Sequence, residues 1–359
     1  MLSVASTRSN AWHGAECAPV MEAGALGTQF EREIRAQPDV WEQLAHGDAA
    51  NRLARTLDDD IVLVGSGSSL FVAQLGALAL RRRRIRANAV AATEARLDHN
   101  AYEDKTVIAI SQSGRSSDVF AALDVLVPRH LIALTNSIDS PLAARADVAI
   151  DVGAGREVAV PATKSVSATV AILLWAASLI GGGSSRRAAV LAGTAQAIRA
   201  WFDTAAYGEV VRAAQRIARR RSVIVLGSDY GLPIAREAAL KLKEAAYLHA
   251  EGFAGGEFRH GSVAMVDASC AVIGIVDFDA LPTIARPLRE VAEFDALRYV
   301  IGSSPIDTVP CLGPLVDEPY NSLAWLVCAQ LIALHAARTR HIDSDAPRGL
   351  TKALVAENP

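Results

Sequence analysis

The chain has 359 residues, of which 51% are hydrophobic, 21% charged and 5% aromatic, with a formal net charge of −3. This length predicts about two domains, and this composition excludes a globally disordered protein. The slightly negative charge and the low aromatic content argue against partners such as nucleic acid or an anionic membrane surface.

Residues 1–20 contain no apolar stretch of signal-peptide length, so we expect a mobile tail there and a cytoplasmic protein. The apolar run at 166–180 is too short to span a membrane and predicts a buried core helix. The four cysteines have no CxxC spacing, and neither a disulfide framework nor a metal site is expected from them. They are Cys17, Cys270, Cys311 and Cys328.

The first half of the chain alternates predicted strands and helices. Helices are expected from residue 21 to a stop before Pro38, and again over residues 40–46. The first strand, at 60–64, opens into a loop of Gly and Ser at 65–69 and a helix over 70–80. Further strands fit at 87–92, 106–111, 131–135 and 148–152. This alternation predicts a parallel α/β sheet with helices on both faces.

The second half repeats this pattern at an offset of 162 residues. Gly65 and Ser66 align with Gly227 and Ser228, each pair after a hydrophobic strand. Two helices are predicted over 186–220 and another at 322–337, with strands at 223–226, 271–276 and 297–301. A duplicated α/β unit explains this symmetry most economically.

Serine-rich turns follow two strands of the first predicted sheet. One contains Ser69, and the other contains Ser111, Gln112, Ser113 and Ser116. A single serine turn is most often a helix cap. Two such turns at the carboxyl end of one parallel sheet predict a phosphate-binding pocket. Neither a Walker motif nor G-x-G-x-x-G is present, so a nucleotide is not indicated.

One acid–base pair lies on a predicted helix over residues 234–248. Lys241 and Glu244 are three residues apart and share a face with apolar side chains. Such a pair is either a structural ion pair or a site with tuned proton affinities. Glycines at 252, 255 and 256 predict a flexible turn that brings His260 beside the pair, which favours the acid–base site.

These segments, together with 155–164 and 347–352, resemble in order the SIS (sugar isomerase) double-domain family. The resemblance is to the isomerase part of glucosamine-6-phosphate synthase and to SIS-type glucosamine-6-phosphate deaminases. It implies two tandem αβα SIS sandwiches, at residues 21–184 and 185–340, followed by a tail at 341–359 that carries an active-site lysine. It also implies a homodimer with shared active sites and a hexose 6-phosphate substrate.

The resemblance assigns roles to individual residues. Glu244 would move the proton between C1 and C2 beside Lys241, and His260 of the neighbouring subunit would open the ring. Lys352 would form an imine with the ketose or close the site, and Val160 and Thr351 would contact the sugar through the backbone. The phosphate would be bound by Ser69, Ser111, Gln112, Ser113 and Ser116. No metal or other cofactor is expected.

The sequence departs from the synthase pattern at several positions. Residue 2 is Leu where the synthase exposes a nucleophilic cysteine, so glutamine-dependent ammonia production is not expected. Arg115 and Ser262 replace an acidic residue and a proline at the expected rim of the site, which leaves the sugar open.

The sequence thus predicts a glucosamine-6-phosphate deaminase that uses water and yields fructose 6-phosphate and ammonia. The alternatives are a phosphosugar isomerase or a fructosamine-6-phosphate deglycase of the same family. From another class, a non-catalytic sugar-phosphate sensor is also open, although a DNA-binding helix-turn-helix would not fit in the short N-terminal segment.

Overall fold

A computed structural model describes residues 26–182, 186–277, 280–302, 305–316 and 318–352. The expected N-terminal tail and Cys17 lie outside these residues. The described part contains two five-stranded sheets, in which every strand pair is parallel.

The first sheet has the strand order β2-β1-β3-β4-β5. Its strands are β1 (Asp60–Gly65), β2 (Arg86–Ala91), β3 (Thr106–Ile110), β4 (His130–Thr135) and β5 (Val148–Asp151). The helices of this half are α1 (Thr28–Arg35), α2 (Gln37–His46), α3 (Ala49–Thr56), α4 (Ser68–Arg81), α5 (Ala92–Leu97), α6 (Ser117–Leu123), α7 (Pro141–Arg145) and α8 (Lys164–Leu179). A 3₁₀ turn spans His99–Tyr102.

The second sheet has the order β10-β9-β8-β6-β7, which is the same topology read from the other edge. Its strands are β6 (Ser222–Gly227), β7 (His249–Ala254), β8 (Cys270–Val276), β9 (Leu297–Gly302) and β10 (Cys311–Leu312). The helices are α9 (Arg186–Trp201), α10 (Ala205–Ile217), α11 (Gly231–Ala246), α12 (Gly255–Phe258), α13 (Leu281–Glu290) and α14 (Asn321–Thr339). Two 3₁₀ turns span Ser262–Met265 and Val291–Phe294.

The predicted fold class is confirmed, because both halves are parallel sheets with helices packed around them. The shared strand order also supports the duplication. The proposed boundaries at 184 and 340 stay predictions, since no boundary is tested by these contacts. The expected core helix at 166–180 corresponds to α8, which is buried along nearly its whole length.

One helix, α14, is long and apolar enough to cross a membrane by length and composition. Its most apolar window is 89% buried inside the protein, which is typical of a core helix. It packs mainly against α11 and α10 and also contacts α1 and α8 of the first half.

Some predicted elements differ from the structure. Residues 21–25 of the first predicted helix lie outside the described part, and α1 begins at Thr28. Pro38 does not separate two helices by a gap; it lies in the first turn of α2, where a missing N–H has no cost. Helix α3 and strand β10 were not predicted, because both are short.

The predicted flexible turn after α11 is wrong. Residues 249–254 form β7, an edge strand parallel to β6. A Cβ on Gly252 would lie 2.6 Å from the backbone nitrogen of Arg236, and one on Gly255 would lie 2.6 Å from Ile284 Cδ1. Gly252 therefore lets β7 approach α11, and Gly255 lets the first residue of α12 approach α13, so both glycines serve close packing rather than flexibility.

The C-terminal segment is fixed to the beginning of α1. The carboxylate of Asp345 accepts hydrogen bonds from the amides of Phe30 (2.7 Å) and Gln29 (2.9 Å), and Asp343 accepts one from Gly27 (3.0 Å). Gly27 occupies the N-cap position and has no side chain for capping, so Asp345 caps α1 from the distant end of the chain.

Candidate active site

A pocket of about 280 Å³ opens at the carboxyl ends of β1 and β3. This edge is where open parallel sheets bind ligands. We call it the serine pocket. It is lined by Ser66, Gly67, Ser68, Ser69, Gln112, Ser113, Ser116, Asp118, Val160, Ala162, Glu244, Leu350, Thr351 and Lys352.

The serine hydroxyls of the pocket are not used as helix caps. Ser116 occupies the N-cap of α6, yet its side chain makes no capping hydrogen bond, and α4 likewise begins at Ser68 without a side-chain cap. Ser113 Oγ accepts a 3.2 Å hydrogen bond from the amide of Arg115 and still has a proton to donate. These hydroxyls, beside the positive end of α4, suit a phosphate group.

The turn that carries Ser113 requires glycine at position 114. Gly114 has a φ of 60°, and a Cβ there would lie 2.0 Å from Ser140 Oγ. The close approach of Ser140 leaves no room for a side chain, so Gly114 fixes the direction of the whole SQSG turn.

The acid–base pair predicted on α11 is part of a row of three charged residues. Lys241 Nζ lies 2.5 Å from Glu244 Oε2 and 3.4 Å from Glu237 Oε1. Ser68 Oγ donates a 3.1 Å hydrogen bond to Glu237 Oε1. Lys241 and Glu237 are buried, whereas the Glu244 side chain is 21% exposed and reaches the serine pocket. Lys241 thus lies on the interior side of Glu244 and pairs with its carboxylate.

Burial raises the pKa of Glu237 to about 7, against the opposing charge of Lys241 and with the help of Glu244. For Lys241, burial lowers the pKa, but the two carboxylates outweigh it and the pKa is raised. Lys241 therefore stays an ammonium, and Glu237 can take up a proton near neutral pH. Its Oε2 has no hydrogen-bond partner among the described residues.

Lys352 is held at the pocket by a buried carboxylate. Its Nζ lies 3.0 Å from Glu157 Oε2 and 2.5 Å from the carbonyl oxygen of Ala159. Burial alone would raise the pKa of Glu157, but the charge of Lys352 and hydrogen bonds from Thr163 and Ser165 lower it. Glu157 thus remains a carboxylate that positions the ammonium of Lys352.

Two further contacts fix the segment that carries Lys352. The amide of Val160 donates a 3.3 Å hydrogen bond to the carbonyl oxygen of Asp345. The amide of Arg348 donates a 2.6 Å hydrogen bond to Tyr247 Oη, and its guanidinium stacks 4.5 Å from the centre of the same ring. Because the N–H of Val160 is engaged, only its carbonyl oxygen remains for a sugar.

The structure brings together eight of the eleven predicted site residues on the pocket wall: Ser69, Gln112, Ser113, Ser116, Val160, Glu244, Thr351 and Lys352. Lys241 lies one layer behind them. Ser111 is buried, and its carbonyl oxygen accepts a 3.2 Å hydrogen bond from the amide of Gly114, so it shapes the turn and does not line the pocket.

His260 is not on the wall of the serine pocket in this subunit. It is exposed after α12, and its amide donates a 2.9 Å hydrogen bond to the carbonyl oxygen of Glu257. The structure therefore does not place His260 beside Lys241 and Glu244 of its own chain. Its contribution from a neighbouring subunit stays a prediction. Arg115 is exposed and, like Ser262, is not part of the pocket wall.

Sequence reasoning missed four residues of the site: Ser68, Asp118, Glu157 and Glu237. Glu237 was detectable, because it continues the 4 and 3 spacing of Lys241 and Glu244 along one helix face. Glu157 was not detectable by spacing, because its partner Lys352 is 195 residues away.

Within the described ranges, no group of three or more His, Cys, Asp or Glu side chains could hold a metal ion. The serine pocket instead combines hydroxyl donors for an anion with a carboxylate that is hydrogen-bonded to a lysine. Such a set can anchor a phosphate and move a proton between neighbouring atoms of the same ligand.

Comparison with known proteins is consistent with this geometry. A family model described as SIS domain matches residues 58–179 and 216–310. The glutamine–fructose-6-phosphate aminotransferase (isomerizing) of Pyrobaculum aerophilum is 31% identical over 352 residues, covering 91% of this chain and 57% of that protein. The chain spans about half the length of the curated relatives it matches.

Two solved structures share the fold. The C-terminal domain of glucosamine-fructose-6-phosphate aminotransferase from Francisella tularensis has a TM-score of 0.78 at 23% identity, covering 90% of this chain and 99% of that one. Glucosamine-6-phosphate deaminase from Thermotoga maritima has a TM-score of 0.74 at 22% identity, covering 91% and 100%. At these identities the likeness concerns the fold alone.

Proposed function

Because the chain belongs to the SIS domain family, we propose that it is an isomerising deaminase of glucosamine 6-phosphate. Water and glucosamine 6-phosphate would give fructose 6-phosphate and ammonia. The single observation that carries the proposal is the position of Glu244, a partly exposed carboxylate that is paired with Lys241 on the wall of the serine pocket.

In the proposed reaction, the serine turns hold the phosphate and so fix the sugar chain along the pocket. Glu244 removes the proton from C2 of the open-chain amino aldose and returns it to C1. One amine proton passes to the C1 oxygen, so that C1 becomes an alcohol and the C2 amine becomes an imine. Water adds across the C2–N double bond, and the C–N bond of the resulting carbinolamine then breaks to give the C2 ketone and ammonia. Lys352, fixed by Glu157, places a positive charge at the pocket while negative charge develops on the sugar oxygen.

The choice of an amino sugar is supported by the relatives, which are named as aminotransferases of fructose 6-phosphate or as a deaminase of glucosamine 6-phosphate. A phosphosugar isomerase is the second candidate. An isomerase needs only a proton shuttle to interconvert an aldose and a ketose, and no lysine that reacts with the sugar. The ion pair between the Lys352 ammonium and Glu157 therefore favours this candidate. A fructosamine-6-phosphate deglycase would use the same pocket. Analysis of products from a panel of sugar 6-phosphates separates these reactions.

The direct test replaces the proton carrier. The substitution Glu244→Gln keeps the shape of the side chain but removes the base, and we expect ammonia release to fall about 10²- to 10⁴-fold in kcat. Glu251→Gln, at an exposed position of β7, is the matched control and should retain full activity. Release at the wild-type rate by Glu244→Gln would eliminate the proposed mechanism.

We further propose that the enzyme is a cytoplasmic homodimer and that each site is completed by His260 of the partner subunit. The exposure of His260 away from its own serine pocket supports this arrangement. Mixing the inactive variants Glu244→Gln and His260→Ala would then create heterodimers with one intact site, and about a quarter of the wild-type activity should return. No recovery after subunit exchange would contradict shared sites.

A further inference from the structure

A second cavity, also of about 280 Å³, lies at the carboxyl end of the second sheet. It is bordered by the first residues of α11 and α14 and by the last turns of α4 and α8. We call it the arginine cavity after Arg82, Arg83 and Arg187, which line it together with Tyr230, Asp277 and Glu318.

The arginine cavity is the duplicate of the serine pocket. At the offset of 162 residues, Tyr230 corresponds to Ser68, and Arg82 corresponds to Glu244. Ser68 and Glu244 line the serine pocket, and Tyr230 and Arg82 line the arginine cavity. The strand register extends the match: Ile61 pairs with Thr106 as Val223 pairs with Ala271. This register places Asp277 where the first half has Gln112.

Two of the three arginines are available for an anion. Arg82 forms an ion pair with Asp229 and stacks 4.3 Å from the ring centre of Tyr230. Among the described residues, Arg83 and Arg187 form no ion pair and their guanidinium groups donate no hydrogen bond, so these donors can take an anion. Opposite them, Asp277 is buried, and one of its oxygens accepts a 2.7 Å hydrogen bond from the amide of Ala280.

A buried hydroxyl next to the cavity has no partner. Tyr320 is fully buried between two lining residues, Pro319 and Asn321, and its Oη makes no hydrogen bond within the described residues. Arg187 is close enough for its charge to act on this hydroxyl. A buried unpaired hydroxyl is unfavourable unless a ligand or water satisfies it.

We propose that the arginine cavity binds a small phosphorylated metabolite with several hydroxyl groups. Arg83 and Arg187 would take the phosphate as paired guanidinium donors. The carboxylates of Asp277 and Glu318 would accept hydrogen bonds from the hydroxyl groups. Volume and topology match those of the serine pocket, whereas the chemistry of the wall is different, so this is a separate binding site and not a second catalytic one.

The arginine cavity and the serine pocket share two helices. Contacts along α4, α11 and the residues that flank them pair Ser68 with Glu237, Gln74 with Arg236, and Arg82 with Asp229. The helices therefore run in opposite directions, and each has one end at each cavity. A ligand on Arg82 or Tyr230 touches the same helices that carry Ser68 and Glu244, about 20 Å away.

The test is a calorimetric titration of the full chain with fructose 6-phosphate. The double variant Ser113→Ala/Ser116→Ala weakens the serine pocket, and we expect it to retain one binding event per subunit. Adding Arg83→Ala and Arg187→Ala should weaken that event at least about tenfold, because each charge-assisted hydrogen bond to phosphate is lost. Inorganic phosphate added as a competitor should displace the sugar phosphate from this site.

Arg219→Ala is the matched control, since this arginine is exposed and lies outside both cavities. It should leave the affinity unchanged, and thermal unfolding should be the same for all variants, as Arg83 and Arg187 form no ion pair with any residue that the structure describes. The inference is overturned if no binding remains in Ser113→Ala/Ser116→Ala, or if the arginine variants bind as tightly as that parent. A failure of ammonia release would not affect this titration, so the two proposals fail separately.

Discussion

The serine pocket and the arginine cavity occupy equivalent positions on two sheets of identical strand order, and they have the same volume. Their walls carry opposite charge at corresponding positions: Glu244 in one and Arg82 in the other. The fold therefore provides the crevice twice, and the side chains alone decide its chemistry.

The two helices between the cavities differ in the charges that they bury. Helix α11 buries Glu237 and Lys241 beside Glu244, whereas α4 has Leu75 and Ala79 at the corresponding positions. An apolar helix packs in this place without any desolvation of charge. The charged row on α11 thus has an energetic cost that packing does not require, which is typical of a functional site.

The largest effect is expected when the central charged residue of α11 is replaced by an apolar one, as at the corresponding position of α4. Lys241→Met leaves the buried Glu237 and the partly exposed Glu244 without their cation, and we expect the free energy of unfolding to fall by about 3–5 kcal/mol. Urea unfolding measures this loss. Lys243→Met, at an exposed position on the same helix, should change the stability by less than about 0.5 kcal/mol. Equal effects of both substitutions would contradict the buried network.

A second prediction concerns the SQSG turn of the serine pocket. Gly114→Ala combines a left-handed backbone with a clash against Ser140, and we expect it to destabilise the protein by about 2–4 kcal/mol. Gly155 has a similar φ of 64°, but a Cβ at this position would have no other atom within 4 Å. Gly155→Ala should therefore cost only about 1 kcal/mol. Chemical unfolding of both variants separates the backbone strain, which they share, from the clash with Ser140, which only Gly114→Ala has. Equal losses of stability would show that the protein relieves this clash.

The raised pKa of Glu237 predicts a specific dependence of stability on pH. Its pKa rises from 4.5 to about 7 on folding, so the folded state holds the proton more tightly. Its contribution makes the free energy of unfolding decrease as the pH rises from 4.5 to 7, by roughly 1–3 kcal/mol.

Glu237→Gln should remove this part of the slope, while Glu251→Gln, at an exposed position, should keep it. Urea unfolding at several pH values between about 4.5 and 8 measures the slopes. An unchanged slope in Glu237→Gln would show that the carboxyl does not titrate in this window.

The smallest expected effect concerns the loss of a single hydroxyl group from the serine pocket. Ser116→Ala removes one donor to the phosphate, and we expect KM for the sugar phosphate to rise about tenfold with little change in stability. Ser117→Ala, the adjacent position and not part of the pocket wall, should leave KM within about twofold. Steady-state kinetics on both variants tests this, and matching KM values would remove Ser116 from the phosphate site.

Much of this arrangement could be predicted from the sequence. The hydrophobic run at 60–64 predicted a strand of the first sheet, and the serine turn at 111–116 predicted the pocket at its edge. Both predictions succeed because each depends on a few neighbouring residues. The spacing of Lys241 and Glu244 predicted a shared helix face for the same reason.

The remainder depends on contacts between distant parts of the chain. Glycine at 252 suggested flexibility, and only the packing of β7 against α11 shows its other use. The pairing of Glu157 with Lys352 and the capping of α1 by Asp345 join residues that no periodicity relates. The arginine cavity could not be predicted either, because helices from different halves of the chain form its wall.

The cap on α1 has a consequence for synthesis of the protein. The carboxylate of Asp345 reaches the amide of Phe30 across 315 positions of the sequence. At ribosomal rates of about 5–20 residues per second, α1 emerges roughly 15 to 60 s before its cap. The strands of the first sheet are likewise translated well before Lys352, so the wall of the serine pocket is incomplete until the segment that carries this lysine has been made.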